Sequence, residues 1–104
     1  MIKTSFYIGL NDKETKRQEI NTLDAFKIVE NVFNTFCKYG ATIRECKGIY
    51  KHESGEKVIE NTLESFTTEE LETQTINDIV KVLKNTLNQE SILVTQETVN
   101  VMFL

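Results

Sequence analysis

Two stretches with helical periodicity enclose a β-hairpin pattern, and this order limits the folds open to the chain. In residues 23–38 the apolar side chains recur at steps of three and four, at Phe26, Val29, Val32, Phe33 and Phe36. In residues 76–87 the same steps occur at Ile76, Ile79, Val80, Leu83 and Leu87. Such spacing predicts two amphipathic helices, each with one face to bury. Asn21 or Thr22 can cap the start of the first helix, and Gly40 stands where a left-handed C-terminal cap belongs.

Four other stretches have the composition of β-strands: residues 3–10, 42–52, 57–66 and 91–104. The second and third flank a Ser-Gly dipeptide at 54–55, which predicts a hairpin with a two-residue loop. That loop pairs Tyr50 with Ile59 and puts both on one sheet face. Residues 91–104 form either one bulged strand or two short ones. Residues 11–21 form either a loop or a return strand.

The resulting order is β-α-β-β-α-β, which predicts one α+β domain over residues 1–104. This order is typical of the ferredoxin-like fold, an antiparallel sheet with two helices on one face. In its order and helix lengths the chain resembles ferredoxin-like oligomers such as the PII-type signal proteins. The resemblance implies an oligomer. Residues 87–91, before the final strand, lack the glycine-rich basic loop of that family, so nucleotide binding of that type is not expected.

Two short stretches carry a second resemblance. Residues 7–13 (Tyr-Ile-Gly-Leu-Asn-Asp-Lys) and 48–55 (Gly-Ile-Tyr-Lys-His-Glu-Ser-Gly) are similar to small proteins of phages and mobile elements in low-GC Gram-positive bacteria. This resemblance implies an accessory or counter-defence role for the chain.

Acidic residues are concentrated in one part of the sequence. Residues 53–72 contain seven glutamates and one lysine, a net charge of −6, whereas the whole chain carries −4. A concentrated field of one sign can steer or repel partners. The acidic residues we expect to bind a partner are Glu56, Glu60, Glu64, Glu69, Glu70 and Glu72. A solvated sheet face of mixed charge is the alternative interpretation, in which Glu45 opposes Glu64 and lysines compensate.

Apolar residues are predicted on the same sheet face as these glutamates. In the predicted register they are Ile43, Ile49, Val58 and Phe66. Left uncovered in a monomer, they would form an exposed patch, so we expect them to form the interface of a homo-oligomer. Such an interface could enclose a ligand cleft between subunits.

The sequence offers little catalytic chemistry. His52 is the single histidine, and Cys37 and Cys46 have no Cys-x-x-Cys spacing, so we expect free thiols. We predict no metal site, no cofactor and no enzymatic activity. The acidic balance argues against direct binding of nucleic acid. No apolar run is long enough for a membrane span, and the N-terminus lacks a signal peptide, so we expect a cytoplasmic protein.

Together these patterns predict a non-enzymatic interaction protein, encoded by a phage or mobile element. It would inhibit a host defence or nucleic-acid-handling protein through its acidic face. The alternative is an oligomeric sensor or sequestering protein for a small, nucleotide-type ligand, with pockets between subunits.

Overall fold

The computed structural model describes residues 1–51 and 54–104, and it has the predicted order of elements. The elements are β1 (Ile2–Gly9), α1 (Thr22–Phe36), β2 (Thr42–Lys51), β3 (Lys57–Thr67), α2 (Thr73–Leu87) and β4 (Leu93–Thr98). The strands form one antiparallel sheet in the order β2-β3-β1-β4. The prediction of a ferredoxin-like α+β fold is confirmed. Residues 91–104 contain one strand, and residues 11–21 form a loop with an isolated bridge between Asn11 and Gln18.

Local chemistry sets the helix ends. The side chain of Asn21 accepts a hydrogen bond from the Asp24 amide and so caps α1. The C-terminal cap of α1 is Cys37, not Gly40 as predicted. Gly40 has a φ of +104° in the turn that follows, where a side chain would be strained. Helix α2 ends at Asn88, which adopts the left-handed conformation (φ 49°) typical of a helix terminus.

The hydrophobic core lies between the helices and one face of the sheet. The rings of Phe6 in β1 and Phe33 in α1 meet edge to face, with 5.0 Å between their centroids. Leu63 from β3 and Ile79 and Leu83 from α2 are fully buried around them. Burying each such side chain stabilises the fold by about 1.5–3 kcal/mol. No helix within the described ranges is both long and apolar enough to cross a membrane.

The β2–β3 hairpin has a different register from the one predicted. Tyr50 pairs with Val58, not with Ile59, and the last pair joins Lys51 to Lys57. The prediction paired Lys57 with His52 instead, a residue that lies outside the described ranges. A change of one residue in register moves every side chain of one strand to the opposite face.

This register separates the four apolar residues predicted to form one interface. Val58 and Phe66 lie on the sheet face away from the helices, which we call the open face. Ile43 lies on the helix side and packs against the core, and Ile49 points to the same side. The prediction of one shared apolar patch is therefore wrong. The odd-numbered residues of β2, which include Ile43 and Ile49, lie on the same side of the sheet as the core-facing residues of β3.

Candidate functional site

One of the predicted acidic residues is buried in an ion pair. Glu64 lies opposite Arg44, not opposite Glu45, and its carboxylate accepts a hydrogen bond from the Arg44 guanidinium. Burial opposes ionisation of Glu64, but hydrogen bonds from Tyr7 and Arg44 outweigh it and lower the pKa of the carboxyl group. The hydrogen bond between the Tyr7 hydroxyl and Glu64 also raises the pKa of Tyr7. Glu64 thus holds strands together and presents little charge to solvent.

The remaining glutamates do not form one row. Glu69 accepts hydrogen bonds from the backbone amides of Lys38 and Tyr39, at 3.1 and 3.0 Å, and so fixes the connection after α1. Glu72 is the N-cap residue of α2. Glu56 and Glu70 are exposed. The structure therefore disperses the predicted surface, and its binding of a partner stays a prediction.

The sixth glutamate, Glu60, lies in a cavity of about 520 Å³ at one end of the open face. All four strands contribute to the cavity, together with the β1–α1 loop and the connection from α2 to β4. Its open-face lining includes Tyr7, Gly9, Tyr50, Val58 and Leu93. Cavities of 300–1,000 Å³ with apolar and aromatic walls and a few polar groups are typical of small-molecule sites.

The Glu60 side chain reaches across the sheet to β1. Its Oε2 accepts a hydrogen bond from the Asn11 amide at 2.8 Å. The carboxylate lies directly over Gly9, where a Cβ would be 2.2 Å from Oε1. Glycine at position 9 is therefore required for this placement, and it presents the carboxylate to the cavity in a fixed position.

Tyr50 forms a second polar wall. Burial raises the pKa of the Tyr50 hydroxyl, and the nearby charge of Glu60 raises it further, while a hydrogen bond with Thr62 acts in the opposite sense. The ring lies across Gly48, where a Cβ would be 2.9 Å from a ring carbon. The mid-strand glycine thus allows the tyrosine to lie flat against the sheet beside Glu60.

The cavity combines aromatic surface, a positioned carboxylate and two protonated phenols. Phenol and carboxylate groups can bind hydroxyl groups and cations, and tyrosine rings can stack on a heterocycle. Among the described residues, no group of three or more His, Cys, Asp or Glu side chains is placed to hold a metal ion. His52, the single histidine of the sequence, lies outside the described residues. The aromatic rings and the positioned carboxylate that line the cavity suit an organic ligand.

Sequence reasoning identified parts of this site without connecting them. Glu60 was expected to bind a partner, and Tyr7 and Tyr50 had no predicted role. Both stretches that resemble phage proteins, residues 7–13 and 48–55, contribute to the cavity. Their shared resemblance was the sequence signal for this site. The two stretches are distant in sequence and become neighbours only through β3.

Comparison with known proteins gives likeness in structure alone. No family model matches the sequence. No curated protein matches it either. A phage SAM lyase in complex with S-methyl-5′-thioadenosine has a TM-score of 0.69 and 20% identity, over 92% of this chain and 79% of that one. CutA1 from Pyrococcus horikoshii has a TM-score of 0.59 and 13% identity, over 99% and 87% of the two chains. CutA from Synechococcus elongatus has a TM-score of 0.57 and 7% identity, over 93% and 74%.

These likenesses support the predicted fold and correct one prediction. The structural neighbours include a phage protein, which agrees with the phage part of the sequence resemblance. The low-GC Gram-positive part stays an expectation. The prediction of no enzymatic activity is contradicted, because the neighbour at TM-score 0.69 is an enzyme.

Proposed function

We propose that this chain binds S-adenosylmethionine (SAM) in the cavity between Tyr50 and Glu60 and cleaves it to S-methyl-5′-thioadenosine. The observation that carries the proposal is the carboxylate of Glu60, which Gly9 and the Asn11 amide fix beside the Tyr50 ring. The likeness to a phage SAM lyase supports this choice of ligand. Tyrosine rings suit the adenine base, and a carboxylate suits ribose hydroxyls or the sulfonium cation.

The reaction would break the bond between the sulfonium sulfur and the four-carbon amino acid fragment. The electron pair of that bond passes to sulfur, which becomes an uncharged thioether. The carbon that leaves sulfur completes its valence either by attack of the fragment's own carboxylate, which gives a lactone, or by loss of the neighbouring proton to a base such as the Glu60 carboxylate, which gives an alkene. The first route neutralises both the sulfonium cation and the attacking carboxylate and releases no proton, so a site that excludes water favours it. Leu93 and Val58 provide apolar walls for such a site.

The test is direct detection of the product. Purified protein is incubated with SAM, and S-methyl-5′-thioadenosine is measured by liquid chromatography. We expect time-dependent product from the wild-type protein and a loss of at least tenfold in the Glu60→Gln variant. Glu45→Gln is the matched control, because Glu45 is exposed on β2 and does not line the cavity. Neither product formation nor binding of SAM or S-methyl-5′-thioadenosine would refute the proposal.

A protein that binds the same ligand without cleaving it is the second candidate. The specific observation in its favour is that the cavity's tyrosine hydroxyls already have partners, because Tyr7 is hydrogen-bonded to Glu64 and Tyr50 to Thr62. Protonated phenols donate hydrogen bonds but are poor bases. Calorimetry that shows tight binding of SAM, with no product after prolonged incubation, would favour this candidate.

We also propose that the open face is covered by a second copy of the chain. Leu93 is exposed on this face, and Val58 and Phe66, at other positions along the same face, are only partly buried. This proposal replaces the four-residue patch predicted from the sequence. Light scattering should give a mass that is a multiple of the monomer, and Leu93→Glu should reduce it. A monomer at micromolar concentration would contradict the proposal.

A further inference from the structure

Three lysines surround the mouth of the cavity. Lys13 and Lys16 come from the β1–α1 loop, and Lys51 comes from the end of β2. All three are exposed, so their ammonium groups are accessible to a ligand that enters the cavity. Glu60 lies deeper, over Gly9 in the sheet. The cavity thus has a basic rim above a floor that contains a carboxylate.

The loop that carries two of these lysines is held in one conformation. Asp12 Oδ1 accepts hydrogen bonds from the amides of Glu14 and Thr15, at 2.8 and 3.1 Å, and its Oδ2 accepts one from Asn88 Nδ2 at 2.9 Å. These bonds lower the pKa of Asp12, with the Asn88 bond as the largest cause. The Asp12 carboxylate is therefore occupied within the loop.

Backbone contacts place the lysines themselves. The amide of Lys13 donates to the Asn88 carbonyl at 3.0 Å, which joins the loop to the end of α2. The amide of Lys16 donates to the Asp12 carbonyl at 2.9 Å, and Lys16 has a φ of +62°. A left-handed conformation is uncommon for a residue other than glycine, so the surrounding bonds must compensate for its cost. Glu90, in the connection from α2 to β4, adds an acid to the rim.

We infer that Lys13 and Lys16 recognise the carboxylate of an amino acid group attached to the adenosyl ligand. This inference rests on the proposed function. A ligand with an amino acid end carries a carboxylate and an ammonium group, and the rim offers lysines for the first and Glu90 for the second. S-Methyl-5′-thioadenosine has neither group. The rim therefore distinguishes substrate from product by charge, and the product leaves because it lacks this contact.

Three non-cleavable ligands test the inference. S-Adenosylhomocysteine carries the carboxylate and the ammonium group, its decarboxylated amine analogue carries only the ammonium group, and S-methyl-5′-thioadenosine carries neither. Calorimetry measures each Kd for the wild type and for a Lys13→Ala/Lys16→Ala double variant. Two solvent-exposed ion pairs predict a loss of about 2- to 30-fold for S-adenosylhomocysteine alone.

A matched variant separates a local contact from the overall field of the protein. Lys27→Ala/Lys81→Ala removes the same charge from exposed positions on α1 and α2, outside the cavity lining. It should leave all three affinities unchanged, and added salt should weaken S-adenosylhomocysteine binding more than S-methyl-5′-thioadenosine binding. Thermal melts confirm that both double variants fold.

The outcomes are distinguishable. Equal losses for all three ligands, or the same loss in the Lys27/Lys81 variant, would overturn the carboxylate assignment and leave the proposed function intact. So would a wild type that binds S-methyl-5′-thioadenosine but not S-adenosylhomocysteine. A wild type that binds none of the ligands and does not cleave SAM would overturn the proposed function, and this inference with it.

Discussion

Replacing Gly9 by alanine should displace the Glu60 carboxylate and damage the site more than the fold. The new Cβ would be 2.2 Å from Oε1 and 2.7 Å from Cδ of Glu60. The carboxylate must retreat by about 1.2 Å to reach 3.4 Å, where ordinary van der Waals contact begins. That movement breaks the 2.8 Å hydrogen bond from the Asn11 amide. Gly9 is not in the left-handed region, so alanine adds no backbone strain.

Two opposing effects set the change in the free energy of unfolding. Loss of a hydrogen bond to a charged group costs about 1.5–3 kcal/mol. Replacing glycine by alanine at a compatible position stabilises by about 0.4–1 kcal/mol, because it restricts the unfolded chain. The free energy of unfolding should therefore fall by about 0.5–2.5 kcal/mol. Ligand affinity should fall in parallel, because the carboxylate no longer lies beside Tyr50.

A double-mutant cycle checks this reasoning. Urea denaturation is measured for the wild type, Gly9→Ala, Glu60→Ala and the double variant. In the Glu60→Ala background the new methyl group meets no carboxylate, so Gly9→Ala should be neutral or slightly stabilising. If Gly9→Ala costs as much in that background as in the wild type, the steric argument is wrong.

Three further predictions concern the core and the ionisable groups. Arg44→Ala should lower the free energy of unfolding by about 1 kcal/mol at neutral pH, because Arg44 is largely exposed and the pair is partly screened. Folding lowers the pKa of Glu64, so the ionised carboxylate stabilises the fold at pH values above its pKa in the unfolded chain, and this stabilisation is lost as the pH falls. Urea denaturation should therefore show that the difference between Arg44→Ala and the wild type disappears in acid. Leu83→Ala should cost about 2–5 kcal/mol in the same assay, because Leu83 is fully buried; a near-neutral result would contradict the orientation of α2. Burial, aided by the charge of Glu69, raises the pKa of Cys37 to about 11. A disulfide reagent at pH 8 should therefore label Cys46 before Cys37. Fast labelling that persists in the Cys46→Ser variant would contradict this prediction.

The order of elements was predictable because its signals are local. The three- and four-residue steps of α1 and α2 depend only on which side chains face the sheet, and the buried set includes Val29, Phe33 and Leu83 as expected. The hairpin register was not predictable in the same way. It depends on how many residues separate the paired strands, and a Ser-Gly dipeptide at 54–55 suits loops of several lengths.

The site was harder to predict than the fold, because its parts come from separate strands. Glu60 is adjacent to Gly9 only because β3 lies beside β1, and Tyr50 joins them only in the observed register. Two glycines with no turn to explain them, at positions 9 and 48, were the informative residues. Gly9 makes room for the Glu60 carboxylate from β3, and Gly48 makes room for the Tyr50 ring on its own strand.

The outer half of the β2–β3 hairpin has a consequence for the thermodynamics of binding. β1 pairs with β3 from residue 62 onward and the Leu10 amide still donates to the Asn61 carbonyl, so residues 57–60 have β2 as their neighbouring strand. Ile49 and Ile59, which pair there, are 70% and 68% exposed, so little packing supports this ribbon. Two-stranded ribbons are marginally stable in water. A ligand that contacts Tyr50 therefore orders the ribbon when it binds. The entropy lost in this ordering makes the observed binding free energy less favourable. The amide hydrogens of residues 47–51 should therefore exchange more slowly when a ligand is bound. This measurement detects ligand binding without a label on the ligand.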